Sequence, residues 1–234
     1  MKNLTLTLVF AVISLTAWSQ ANNAAYSLTS RVIEIQQSDV AFGLTQAQFE
    51  STAGSPYSNV DFLQGNIYKD KKLAQTGVLM RYNMFSDEIE IKNSSTDKTY
   101  GALIQDASVF VKIFNDIYVF APFQGSNANG HYFKVVTEGT NFDLYKKEEV
   151  TYQPPYAPKT TYEREKPAEW VKNETYFLVS KSGDYYELPN SKSKILKVMK
   201  NKEKDVKDYI KKNKLDLDKE KDLEKLVDYY NSIL

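Results

Sequence analysis

The chain has 234 residues, with 30 Lys plus Arg against 30 Asp plus Glu, one histidine and no cysteine. That composition excludes disulfides, thiol catalysis and a lipidated N-terminal cysteine, and a single imidazole cannot build a His-based metal cluster. Charge is uneven along the chain: from Ser191 to the end 13 Lys face 9 acids, and the remainder, Lys2 aside, has 16 basic against 21 acidic residues. This is a basic tail on an acidic body, a dipole too mild to predict nucleic-acid binding.

At the N-terminus, Lys2, the apolar run from Leu4 to Leu15 and the small residues Ala17 and Ser19 form the three parts of a cleavable signal peptide, residues 1–19. The apolar run is shorter than the about 20 residues a helix needs to cross hydrocarbon. The expected mature protein therefore begins near Gln20 or Asn22 and is secreted or periplasmic, with no membrane span after signal cleavage.

Residues 20–190 read as one antiparallel β domain. Short runs rich in Val, Ile, Phe and Tyr recur between turn signals. Val109–Phe114 and Ile117–Phe120 flank Asn115-Asp116, Tyr132–Val136 and Phe142–Tyr145 flank Glu138-Gly139, and Tyr176–Val179 and Tyr185–Leu188 flank Ser182-Gly183. Successive hairpins make a meander. The hairpin over 109–120 is apolar on both faces apart from Lys112, so it should lie deep or be covered.

The segment Gly77–Lys92 (GVLMRYNMFSDEIEIK) is the most informative. With Ser86-Asp87 as a two-residue turn, Met84 faces Ile89 and Tyr82 faces Ile91 on an apolar side. The other side pairs Asn83 with Glu90 and sets Arg81 diagonally across from Glu90. Arg81, Asn83 and Glu90 are thus the candidate ligand-binding residues, as the floor of a polar groove. The alternative is an Arg–Glu pair that holds the hairpin in register on a solvated or loop-covered face. Glu88 and Glu90 share one face and by default point to solvent.

Between 152 and 173 the pattern breaks at Pro154, Pro155, Pro158 and Pro167, which predicts a long surface loop, either a lid or a flexible insertion. After Leu188 the apolar period changes from two to 3.6. Ile195, Val198, Met199, Val206, Tyr209 and Ile210 form one stripe, with Asn190 or Ser191 as the cap and Asn213 as a stop. A further helix starts near Asp218 and carries Leu223, Leu226, Val227 and Tyr230 on one face. Residues 191–234 are therefore a helical segment packed on the β domain.

Catalytic motifs are sparse. There is no G-x-S-x-G, no phosphate-cradling glycine loop and no dinucleotide fingerprint. His131 follows Asn129-Gly130 and reads as a turn or strand-end histidine. Asp87, Glu88 and Glu90 are the best acid cluster for a glycosidase, which needs two carboxylates about 5–9 Å apart in a cleft. No metal or other cofactor is expected.

The signal ending in Trp18-Ser-Gln, the stretch Ser55-Pro-Tyr…Asp61-Phe-Leu…Gly65…Arg81-Tyr-Asn…Glu90, the later Tyr132-Phe…Glu138-Gly…Leu144-Tyr-Lys-Lys, and the tail Tyr209-Ile-Lys-Lys-Asn…Tyr229-Tyr-Asn carry a resemblance. With these motifs the chain resembles uncharacterised small secreted proteins of Bacteroidetes. The resemblance covers most of the mature chain and implies a Gram-negative envelope or extracellular setting, with no activity attached to it.

The expected architecture is mainly β with C-terminal α: an antiparallel β-meander rolled into a curved sheet or open barrel, packed by two or three C-terminal helices. The expected role is non-enzymatic binding or structure in the cell envelope, with an envelope protein or a small ligand as partner and no nucleic acid. One alternative is a carrier or sensor of an apolar ligand held between sheet and helices. A second is a carboxylate-based glycan hydrolase.

Overall fold

The structure, a computed structural model, describes residues 29–34, 43–97, 99–123, 126–158, 160, 162–189 and 191–234. The expected signal peptide, residues 1–19, and Asn190, one of the two expected cap residues, lie outside them. In chain order come β1 (Thr29–Glu34), the short helix α1 (Gln46–Ser51), β2 (Leu63–Lys69), β3 (Lys72–Asn83), β4 (Glu88–Lys92) and β5 (Thr99–Leu103). Next are β6 (Val109–Ile113), β7 (Asp116–Phe123), β8 (Ser126–Thr137), β9 (Phe142–Gln153), β10 (Glu169–Ser180) and β11 (Tyr185–Leu188). Helices α2 (Lys192–Val198), α3 (Glu203–Asn213) and α4 (Glu220–Ser232) end the chain, with one 3₁₀ turn over Lys200–Lys202 between the first two.

The strands form one antiparallel sheet in the order β1-β5-β4-β3-β2-β6-β7-β8-β9-β10-β11. The protein is thus mainly antiparallel β with C-terminal helices. From β2 the chain runs outward through β3, β4 and β5. It then returns with β6 to the other side of β2 and meanders on to β11. Two meanders share one central strand, where the sequence predicts a single one.

The sheet rolls without closing into a continuous ladder. At the tip of β3 the Met84 carbonyl accepts from Val150 N–H of β9 at 3.3 Å. Residues 52–58 form a strap across the same end of the roll. Ala53 N–H donates to Ala168 O and Trp170 N–H to Ala53 O, while Met84 N–H donates to Pro56 O and Ser58 N–H to Tyr82 O. The strap therefore joins β10 to β3. Inside the roll, Ile67, Met80, Ile89, Ile91 and Val111 have no exposed surface.

The hairpin over 109–120 differs from expectation. Val109, Val111, Ile113 and Tyr118 enter the core, but Phe110 stacks on Tyr68 with ring centroids 4.6 Å apart, and Phe114 is 70% exposed. One face is core; the other is exposed at Lys112 and the turn, but Val119 on it packs against a separate buried cluster of Phe133, Phe177 and Val179. The turn is Phe114-Asn115, one residue earlier than expected, because Ile113 pairs with Asp116; Phe114 takes a left-handed φ of 53°.

The proline-rich loop is also shorter than 152–173. Gln153 still pairs with Glu169, and Trp170 with Tyr152, so only residues 154–168 leave the ladder, with a further bridge between Tyr156 and Lys166. All four prolines fall in that excursion. Tyr152 and Trp170 stay in register because their rings pack together, and Trp170 also meets Phe49 and Phe85.

The helices cover the far half of the sheet. Leu144, Tyr176, Leu178 and Leu188 of β9–β11 meet Ile195, Met199, Val206, Ile210, Leu226 and Tyr230 in a second core. Ser191 occupies the cap position of α2 but makes no side-chain cap bond. As predicted, α3 stops at Asn213, followed by Lys214 at φ 52°. The cap position of α4 is Lys219, one residue beyond the expected Asp218.

No helix among the described residues is long and apolar enough to cross a membrane.

Candidate functional site

The β3–β4 hairpin carries the predicted residues, in a different register. Arg81 faces Glu90, Tyr82 faces Ile89, and Asn83 faces Glu88. The turn spans Met84–Asp87 rather than Ser86-Asp87 alone, which slips every pair by two. The cause is local: Asn83 Oδ1 accepts from Phe85 N–H and Ser86 N–H at 3.1 Å each, and the Met84 backbone is bound by Pro56 and Val150. A slip of two keeps each side chain on its expected face, because strand side chains alternate with period two.

The structure brings Arg81, Asn83 and Glu90 together. Arg81 Nε donates to Glu90 Oε2 at 2.7 Å, and Asn83 Nδ2 donates to Glu90 Oε1 at 2.9 Å. Glu90 is 1% exposed, which corrects the expectation that it points to solvent. The cover is the strap and the residues after it. Arg81 Nη1 donates to Val60 O at 2.9 Å, and its guanidinium lies 3.6 Å from the Tyr57 ring centre and 4.3 Å from that of Phe62. The cation thus sits between two aromatic faces while its charge is balanced by Glu90. Burial, and then the nearby Glu90 charge, push the Tyr57 hydroxyl well above its ordinary pKa, against the opposing pull of Arg81. Tyr57 is therefore a neutral ring at all working pH values.

A second constellation lies at the hairpin tip. Asp87, at a left-handed φ of 54°, accepts from Tyr82 OH at 2.8 Å and Tyr132 N–H at 3.1 Å through Oδ1. Its Oδ2 lies 2.9 Å from His131 Nδ1. Burial, followed by the charge of Asp87, raises the Tyr82 hydroxyl far above its usual range, so this phenol stays a donor. Asp87 orients His131 as a carboxylate orients a catalytic imidazole, but the same carboxylate also ties β3 to β8. The two residues are 44 apart in sequence, and nothing local announces the pairing.

A third network joins sheet to helices. Lys146 Nζ lies 2.8 Å from Glu220 of α4, 3.4 Å from Glu148 and 3.6 Å from Glu174. Lys172 Nζ reaches Glu148 at 2.7 Å and Glu174 at 2.9 Å. The alternation of Lys146 with Glu148 and of Lys172 with Glu174 places acid and base on one strand face, a signal legible in the sequence. Glu220 is legible only as a first-turn acid of a helix. Burial would raise its carboxyl, but the hydrogen bond and charge of Lys146 outweigh that and hold it below its ordinary value.

Among the described residues no group of three or more His, Asp or Glu could hold a metal ion. The chain matches no family model, no curated protein and no solved structure.

Proposed function

We propose that the chain is a non-enzymatic binding or structural protein of the cell envelope, exported to the periplasm or the medium. The observation that carries this reading is that two of the three acids of the best candidate cluster, Asp87 and Glu90, hold the fold. Both Glu90 oxygens bind Arg81 and Asn83, and both Asp87 oxygens bind Tyr82, Tyr132 and His131. A general acid or base must exchange protons with a substrate, and Glu90 lies under the strap away from solvent. The Arg81–Asn83–Glu90 cluster then serves as the joint where strap meets hairpin. The carrier alternative is disfavoured because buried apolar side chains of β9–β11 and of the helices meet one another in the space between sheet and helices where its ligand would sit.

Two measurements test the proposal. Fractionation of expressing Gram-negative cells, with the intact mass of the product, should place a species starting near Gln20 outside the cytoplasm. Full-length protein confined to the cytoplasm would sink the envelope reading. Incubation with peptidoglycan and envelope polysaccharide should release no new saccharide; release that disappears in Glu90→Gln or Asp87→Asn would reinstate the hydrolase.

A further inference from the structure

The basic tail is more strongly polarised than its total suggests. Between Lys192 and Lys214 there are ten lysines against Glu203, Asp205 and Asp208, with no arginine. From Leu215 to the end the balance reverses, to three lysines against six acids. Two of those three, Lys219 and Lys225, are paired with Asp216 and Asp222. None of the ten lysines before them makes an ion pair or side-chain hydrogen bond with a described residue. Nine of the ten are exposed and Lys202 is half-buried.

They are also arranged. Lys204, Lys207 and Lys211 fall at i, i+3 and i+7 and share one face of α3, while Val206 and Ile210 on another face are buried. Lys211 and Lys214 line one hollow together with Lys192 from the start of α2, with Asp216 and Asp218 at its far side. Asp208 borders the lysine face, and with Asp205 and Lys212 it lines the flank that holds Tyr209 and Tyr229. Those two rings stack on each other at 3.8 Å, so they do not interleave the lysines.

Helix stability accounts for only part of this. Lys211, Lys212 and Lys214 sit at the C-terminal end of α3, where cations favour the dipole. Lys192, Lys194 and Lys204 lie in first turns, where a cation opposes it. The fold therefore does not explain the charge at that end.

We infer that this helical face docks on an anionic lipid surface. A cluster of exposed lysines on an amphipathic helical segment is attracted to anionic headgroups, each lysine adding to the affinity. Lysine is a point charge that suits an array of phosphates, whereas base or single-phosphate recognition favours the arginine fork. No large apolar side chain between 192 and 214 is exposed, so binding is electrostatic and stays at headgroup depth. The inference names a partner for the envelope protein proposed above and rests on that reading for access to a bilayer. Binding in vitro does not depend on export, so the two can fail separately.

The test is cosedimentation of the full chain with phosphatidylcholine vesicles, with and without phosphatidylglycerol. Binding should require phosphatidylglycerol and vanish at about 1 M salt, where the Debye length is ~3 Å. The triple variant Lys204→Gln, Lys207→Gln, Lys211→Gln should bind about 100-fold more weakly with an unchanged melting curve. The control Lys219→Gln, Lys225→Gln, from the acidic half, should bind like the wild type. The same variants carry the same N-terminus, so any affinity of the leader cancels. Failure of the wild type to bind, or equal binding by the triple variant, would overturn the inference. So would tighter binding to heparin or duplex DNA than to the vesicles at equal salt, which would make the partner a soluble polyanion.

Discussion

Removing the Glu90 carboxylate leaves Arg81 with an unbalanced charge at a site where its side chain is 14% exposed and its guanidinium lies between two rings. A solvated cross-strand pair would cost about 0.2–1 kcal/mol to break. A buried one costs about 3–5 kcal/mol, because the remaining ion has no partner. Glu90→Ala should lie near the lower end of that range, since Arg81 keeps Val60 O and its two aromatic contacts. Urea denaturation of the variant measures it, and a loss under 1 kcal/mol would show that water already serves the pair. The polar type of all three residues was readable from strand alternation. Their burial was not, because the segment that covers them is distant in sequence and its residues, Tyr57 of the strap and Val60 and Phe62 after it, carry no pattern that points to β3.

Asn231 decides how the last helix meets the sheet. It belongs to α4, and its side chain serves four backbone groups. Oδ1 accepts from Asn141 N–H and Phe142 N–H at 2.9 Å each, and Nδ2 donates to Phe142 O and Val227 O. Gly139 in the same turn lies so close to Asn231 that a Cβ there would collide with the amide. Two backbone donors lose their partner if Asn231 is truncated, and each buried orphan costs about 1–3 kcal/mol. Asn141 is exposed and Phe142 half-buried, so water can serve part of what is lost, and Asn231→Ala should destabilise by about 1–2 kcal/mol. Hydrogen exchange should show it first at Asn141 and Phe142, and unchanged protection there would refute the clamp. At this scale the helical stripes, the stop at Asn213 and the last two hairpin turns were legible, because period and turn chemistry are local. The strand extension through Tyr152 and Trp170 was not, since ring packing across β9 and β10 outweighs the proline signal nearby.

For the molecule as a whole, the contact between sheet and helices should depend on acid. Glu174 and Glu220 are both held below their ordinary value of 4.5. In each case burial acts to raise the carboxyl, and the bonds and charges of lysine win: Lys172 with Lys146 for Glu174, and chiefly Lys146 for Glu220. A carboxyl whose folded pKa is depressed contributes stability above its unfolded pKa and loses it as pH falls through the folded value. Stability should thus be level from neutrality to about pH 5 and decline below it. Glu220→Gln should lower stability at neutral pH and make the acid decline shallower, as followed by thermal melts under far-UV circular dichroism. An unchanged slope would mean that the bridge from Lys146 adds nothing to docking.

By itself the sequence determined which way side chains point, where the period changes from two to 3.6, and where lysine is concentrated. These are properties of neighbours along the chain, set by backbone geometry within a few residues. Only the tertiary structure decided the register of β3 on β4, the return of β6 to β2, and the burial of Glu90 under the strap. A slip of two leaves every face unchanged, so alternation cannot detect it. Strand order and cover depend on contacts between residues far apart, such as Asp87 with His131, whose energies no local pattern records.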